Sequence, residues 1–210
     1  MSKGKLNPAL QEYAGSFMAY FKDIPEERKK VLDKVAEFIS DQLFRNGIAR
    51  LTFICTHNSR RSHMGQIWAQ AAASFFGVEG IQTFSGGTEA TAFNPNAVKA
   101  MKEAGFDIKS DGNPQNPIYS VSYALKQVPL QVFSKKYDDV SNPQTDFCAI
   151  MTCSDADQNC PFIPGAALRI PITYEDPKAF DGTPHEEKAY SDRSFQIGTE
   201  MFYLFDKFSS

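Results

Sequence analysis

An apolar run, a polar loop and a helical pattern, in that order, constrain this chain most. Leu51–Ile54 is typical of a buried strand, and Cys55–Ser62 is a polar loop. From His63 to Phe76 apolar side chains recur at helical spacing. Further strand and helix patterns follow, so the sequence predicts a parallel sheet joined by right-handed crossover helices.

The loop between this strand and helix has the chemistry of an anion site. Backbone N–H groups and the helix dipole at a helix N-terminus favour a tetrahedral oxyanion, and a thiol there ionises readily. Cys55 is therefore the candidate nucleophile. Arg61 can hold two anion oxygens at once, which a lysine cannot. The predicted oxyanion-binding residues are Thr56, His57, Asn58, Ser59, Arg60, Arg61 and Ser62.

The same pattern has a plainer explanation. A cysteine with an arginine six positions later also arises by chance, so Cys55 could be a buried structural residue and Arg61 a solvated one. The preceding strand and the following helix favour the anion site. Asn58 could brace the loop, and the Ser62 hydroxyl could donate to the Cys55 sulfur.

Composition excludes several classes of function. The chain has 210 residues with 42% hydrophobic content, enough for a sizeable core. A net charge of −3 gives no electrostatic case for binding nucleic acid. No apolar run reaches membrane-spanning length and no signal-peptide pattern opens the chain, so the cytoplasm is the expected location. The histidines and cysteines lack metal-site spacing, so no metal is expected.

Two segments surround the predicted sheet without belonging to it. Residues 1–48 are helical in pattern, and 49–210 form the predicted α/β domain. The apolar stripe of the second N-terminal helix either covers the core or joins two subunits, which leaves a homodimer open. Residues 117–134 contain an alternating run followed by a second extended run, which predict an inserted β-hairpin.

A second pair of cysteines follows a later strand. Residues 146–152 form an apolar run, and Cys153 and Cys160 come directly after it. Carboxyl ends of parallel strands share one edge of a sheet, so Cys153 is expected on the same edge as Cys55. Its partner Cys160 could meet it if the polar segment between them loops or unwinds. Two incidental cysteines are the alternative, and Cys148 is predicted to be a core residue.

The Cys-x5-Arg-Ser loop at a strand–helix junction resembles that of the low-molecular-weight protein tyrosine phosphatase superfamily. The family usually has glycine where this chain has His57, and often a second cysteine at the position of Arg60. The resemblance implies an open, mostly parallel, doubly wound sheet, here with an N-terminal helical extension and an inserted hairpin. It also implies that Asp176, followed by Pro177, is the general acid, although Asp-Pro pairs also start turns.

The segment Cys-Ser-Asp-Ala-Asp-x-x-Cys-Pro, from Cys153, resembles that of the thioredoxin-coupled arsenate reductases within this superfamily. The resemblance implies that Cys55 attacks arsenate and that Cys153 then attacks the Cys55 sulfur. Cys160 resolves the resulting disulfide. No bound cofactor is implied, but an external dithiol such as thioredoxin is.

Two other functions remain open at this point. A phosphatase hydrolysing phosphotyrosine through a cysteinyl-phosphate would need Cys55, Arg61 and Asp176 but neither Cys153 nor Cys160. A non-enzymatic oxyanion or redox sensor would use the N-terminal helices as a partner surface. The sequence favours arsenate reduction, because the Cys153–Cys160 segment otherwise has no function.

Overall fold

The computed structural model describes residues 5–209. The elements in chain order are α1 (Pro8–Gly15), a 3-10 helix (Phe17–Asp23), α2 (Glu26–Asn46), β1 (Ala49–Cys55), α3 (Arg61–Phe76), β2 (Ile81–Gly87), α4 (Pro95–Glu103), β3 (Asp107–Ser110), β4 (Tyr119–Ser122), β5 (Leu130–Val132), β6 (Phe147–Met151), α5 (Ser154–Asn159), β7 (Ala166–Pro171), a second 3-10 helix (Pro177–Phe180) and α6 (Glu186–Asp206).

The main sheet is parallel and doubly wound, which confirms the predicted fold class. Its strand order is β2-β1-β6-β7. In the register of the sheet, Cys55 lies opposite Gly87 on one side, and Ile54 lies opposite Met151 on the other. The strand order changes direction between β1 and β6, so a ligand site is expected at the carboxyl ends of these two strands.

The predicted hairpin is present, but it belongs to a second, antiparallel sheet. β4 pairs with β5, and β3 pairs with β4 in the order β3-β4-β5. β3 therefore pairs with the hairpin and not with the parallel sheet. The chain then returns to β2, where the Gly87 amide donates to the Lys135 carbonyl at 2.9 Å. The second sheet is thereby attached beside the end of β2.

The apolar core lies on both faces of the parallel sheet. Strand β6 alternates: Cys148 and Ile150 face the larger cluster, and Phe147, Ala149 and Met151 face a smaller one that also holds Cys55 and Cys153. Cys148 is fully buried, and burial raises the pKa of its thiol. This agrees with its prediction as a core residue.

The N-terminal helices cover the larger cluster. Helix α2 has acids in its first turn and ends at Gly47, whose positive φ of 69° favours glycine. The buried stripe of α2 joins the larger cluster, and Phe17 packs edge-on against Trp68 with ring centroids 5.1 Å apart. The stripe therefore covers the chain's own core, and a homodimer stays a prediction. Across residues 5–209, every helix is too short or too polar to cross a membrane.

Candidate active site

Cys55 ends strand β1 and faces the start of α3. Its side chain is buried, and its sulfur lies 3.1 Å from the Ser62 hydroxyl oxygen. The Asn58 side-chain amide donates to the same hydroxyl at 2.9 Å. Because the Ser62 oxygen accepts a hydrogen bond from Asn58, the Ser62 hydroxyl proton remains available to the Cys55 sulfur. The Ser62 hydroxyl is therefore placed to donate to the Cys55 sulfur.

The left-handed backbone of the loop falls on Asn58, with φ of 44°, and not on His57. Asparagine tolerates this conformation better than most residues. The His57 carbonyl accepts hydrogen bonds from the hydroxyls of Ser134 and Thr91, each at 3.1 Å. Its side chain points outward, 3.7 Å from the Glu89 carboxylate. Histidine at the family's usual glycine position therefore does not take a left-handed backbone.

Two segments hold the loop in place, and sequence reasoning found neither. The Asn58 side-chain carbonyl accepts from the Lys135 amide at 2.8 Å. On the other side Gly87 lies so close that a Cβ there would be 2.6 Å from the Thr56 carbonyl oxygen. The Glu89 amide donates to that same oxygen at 2.8 Å. The Gly86-Gly87 pair after an apolar strand was the one sequence signal for this close approach.

The predicted arginine and the predicted acid meet directly. Arg61 Nη2 lies 2.7 Å from Asp176 Oδ2, and Arg61 Nη1 donates to the Tyr174 carbonyl at 2.8 Å. Arg60 Nε lies 2.8 Å from Asp176 Oδ1. Arg60 is also buried, beside the carboxylate of Asp176.

Behind the loop lies a buried histidine that the sequence did not single out. His63 is fully buried, with its ring edge-on to Phe93 at 4.3 Å. Burial lowers the pKa of His63 to about 3, and the nearby charge of Lys135 acts in the same direction. The Phe133 carbonyl opposes this shift but makes no regular hydrogen bond to the ring. His63 is therefore neutral near pH 7.

Cys153 follows the strand beside β1, as predicted. The Thr152 amide donates to the Ile54 carbonyl at 2.7 Å and continues the pairing of β6 with β1. Cys153 is fully buried, and its sulfur lies 3.4 Å from the hydroxyl of Thr56, the neighbour of Cys55. The Ala156 amide donates to the Cys153 sulfur at 3.4 Å, which places this thiol at the N-terminus of α5.

Cys160 lies at the other end of α5 and is half-buried. Arg169 Nε donates to its carbonyl at 2.9 Å, and Arg169 Nη2 lies 2.7 Å from Asp157 Oδ1. Seven residues of helical rise separate Cys153 from Cys160 by about 10 Å, too far for a disulfide. All four cysteines are free thiols, so the two can pair only if α5 unwinds.

A cavity of about 390 Å³ lies beside Arg61 and the start of α5. It is bounded by Arg61, by Ser154 at the start of α5, by the segment of Asp176, and by Arg193 on α6. Arg61, the first turn of α5 and the segment that carries Asp176 therefore face the same cavity. Among residues 5–209, no three His, Cys, Asp or Glu side chains cluster as metal ligands.

Sequence comparison assigns the family. A model of the low molecular weight phosphotyrosine protein phosphatase family matches residues 50–117. An arsenate reductase of Bacillus licheniformis is 33% identical over 144 residues, which cover 67% of this chain and 83% of that protein. The chain belongs to the arsenate reductase branch of this phosphatase family. The arsenate reductase of Bacillus subtilis is 34% identical over 141 residues, with the same coverage of both chains.

A solved structure agrees with the family's fold. The low molecular weight protein tyrosine phosphatase from T. tengcongensis superposes with a TM-score of 0.51 at 17% identity. The superposition covers 76% of this chain and 99% of that one. Almost all of the compact phosphatase therefore superposes on this arsenate reductase family member, which has further residues outside the superposition.

Proposed function

We propose that this protein reduces arsenate to arsenite, with Cys55 as the nucleophile and Cys153 and Cys160 as the redox relay. One observation carries the proposal. Adjacent parallel strands end at Cys55 and just before Cys153, and the Thr56 hydroxyl contacts the Cys153 sulfur at 3.4 Å. A phosphatase would have no use for a second buried thiol at that position.

In the first step the Cys55 thiolate attacks arsenic. The loop amides and Arg61 hold the oxyanion, Asp176 protonates the leaving oxygen, and water departs. An arsenate oxygen competes with Asp176 for the Arg61 guanidinium, so substrate binding loosens that ion pair. The product of this step is arsenic(V) bonded to the Cys55 sulfur.

In the second step the Cys153 thiolate attacks the Cys55 sulfur. A disulfide forms, the sulfur–arsenic bond breaks, and its electron pair stays on arsenic, which leaves as arsenite. Cys160 then attacks the Cys153 sulfur as α5 unwinds, and Cys55 departs as a thiolate. The net change is two-electron reduction of arsenate with oxidation of two thiols to a disulfide and release of water.

The last disulfide, Cys153–Cys160, needs an external dithiol. We propose thioredoxin as that reductant and the cytoplasm as the location, since a reducing compartment keeps the thiols ready. Cys160 is half-buried while Cys153 is buried, so Cys160 is the more accessible of the two sulfurs. This exposure supports attack by a second protein.

The Cys160→Ser variant tests the relay. With thioredoxin, thioredoxin reductase and NADPH, we expect it to release arsenite once per molecule and then stop, while the wild type turns over repeatedly. Cys148→Ala is the matched control, because Cys148 lies on the opposite face of β6 and should leave turnover intact. Normal multiple turnover by the Cys160→Ser protein would refute the relay.

A phosphomonoesterase acting on phosphotyrosine is the second candidate. The observation in its favour is that Cys55, Arg61 and Asp176 form a complete site without the other thiols. Hydrolysis of p-nitrophenyl phosphate that survives Cys153→Ala, with no arsenite release by the wild type, would support it. Tight oxyanion binding without turnover of either substrate would support a sensor.

A further inference from the structure

The segment that carries the proposed acid is also held from its far side. Arg28, on helix α2, donates through Nη2 to the Thr173 carbonyl at 2.6 Å. Its Nε donates to Glu200 Oε1, on α6, at 3.1 Å. Arg28 therefore ties the N-terminal helices to the chain just before Asp176.

Tyr174 completes this contact. Its hydroxyl donates to Glu200 Oε2 at 2.7 Å, and its ring lies under the Arg28 guanidinium, 4.9 Å from the centroid. Burial and the negative charge of Glu200 raise the pKa of Tyr174 well above its ordinary value, so the hydroxyl stays a donor. Glu200 is itself buried, with only 3% of its surface exposed.

The same short segment contacts the site on its other side. The Thr173 carbonyl accepts a hydrogen bond from Arg28, and the Tyr174 carbonyl accepts one from Arg61 at 2.8 Å. Two residues later Asp176 contacts Arg61 again at 2.7 Å. Neighbouring peptide groups thus join an arginine of α2 to the arginine of the anion loop.

We propose that Arg28 is a positioning residue for catalysis, which makes helix α2 part of the active-site scaffold and not a cover of the core alone. The proposal rests on the proposed role of Asp176. Partly buried charges with several hydrogen bonds define a position more strictly than apolar packing does. Misplacement of a catalytic group by about 1 Å costs about 10²-fold in rate.

The test compares Arg28→Ala with Arg45→Ala. Arg45 lies on the same helix, but its ion pair is an exposed one with Asp41, distant in the chain from the acid segment. We expect Arg28→Ala to lower kcat about 10–100-fold with KM little changed. The loss should be larger for phenyl phosphate than for p-nitrophenyl phosphate, because a poorer leaving group depends more on the acid. Arg45→Ala should match the wild type.

A double variant distinguishes a positioning role of Arg28 from a general loss of folded structure. If Arg28 acts through Asp176, then Arg28→Ala should cost little further rate in an Asp176→Asn background. Tyr174→Phe removes only the hydroxyl contact with Glu200 and keeps the ring in the core. It should show the same leaving-group pattern at a few-fold loss, even if Arg28→Ala folds poorly, and Arg28→Lys should recover part of the rate.

The outcomes distinguish a failure of the proposed role of Arg28 from a failure of the proposed arsenate reduction. Equal losses on both phosphate esters, or losses that multiply with Asp176→Asn, would overturn the positioning role of Arg28. Ester hydrolysis that depends on Asp176 and Arg28, without any arsenite release, would refute arsenate reduction and leave the role of Arg28 standing.

Discussion

The anion loop and the redox segment lie at one edge of one sheet, but they are held very differently. The loop, Cys55–Ser62, is almost wholly buried and is bonded on two sides by the 87–91 and 134–135 segments. The redox segment, Cys153–Cys160, is a short helix with exposed polar residues. The Arg169 side chain holds it by donating to the Asp157 carbonyl.

The difference corresponds to two physical requirements. A group that binds a transition state must be fixed before the reaction, because reorganisation would cost rate. A thiol that must reach two partners in turn needs a segment whose opening is cheap, and exposed helices with few apolar contacts open most readily. Rigid and mobile parts of one mechanism can therefore be adjacent in space.

Arg61→Lys should have the largest effect on the rigid side. Lysine keeps the charge but loses the planar two-pronged contact, so kcat/KM should fall about 10²–10³-fold for both arsenate and p-nitrophenyl phosphate. Steady-state kinetics on both substrates measure this. Arg45→Lys, on the exposed face of α2, is the control; a loss below threefold at Arg61 would show that its geometry is unimportant.

Gly87→Ala should be next, through the support of the loop. The added Cβ would lie 2.6 Å from the Thr56 carbonyl oxygen, so the loop must shift, and we expect kcat to fall about 10–100-fold. Gly15→Ala is a matched control, because a Cβ there meets nothing within 4 Å. Wild-type kcat in Gly87→Ala would mean that the loop tolerates displacement.

His63 should make the rigid region sensitive to acid. Below pH 6.5 the unfolded chain binds a proton at this residue, while the folded chain does so only near its pKa of about 3. Stability should therefore fall as pH drops, by about 2 kcal/mol from this group between pH 7.5 and 5, with little effect above about pH 7.5. Urea unfolding of His63→Leu should show a correspondingly weaker pH dependence; parallel curves for the two proteins would contradict this.

Arg169→Ala should give the smallest effect, confined to the mobile side. Removing its contacts to Asp157 and the Cys160 carbonyl should make α5 open more easily, by about 1 kcal/mol for a pair that is only partly buried. Hydrogen exchange across residues 154–160 should become about fivefold faster, with p-nitrophenyl phosphate hydrolysis unchanged. Unaltered exchange would show that Arg169 does not hold the helix.

The local pattern of the chain determined most of the fold. The helical pattern of residues 1–48, the strand at Leu51–Ile54 and the helix that follows the polar loop agree with the structure. These features depend on neighbouring residues, which a sequence displays directly. The placement of Cys153 beside Cys55 also followed, because strand ends in a parallel sheet share an edge.

Only the tertiary structure decided what surrounds the candidate site. The sequence does not show that Lys135 and Gly87 hold the loop, that Arg60 turns inward to Asp176, or that Arg28 reaches Thr173. Each of these contacts joins residues far apart in the chain, and the partner of a hydrogen bond is set by three-dimensional packing. The sequence by itself thus determined the chemistry the site can offer, and the fold decided which groups hold that chemistry in place.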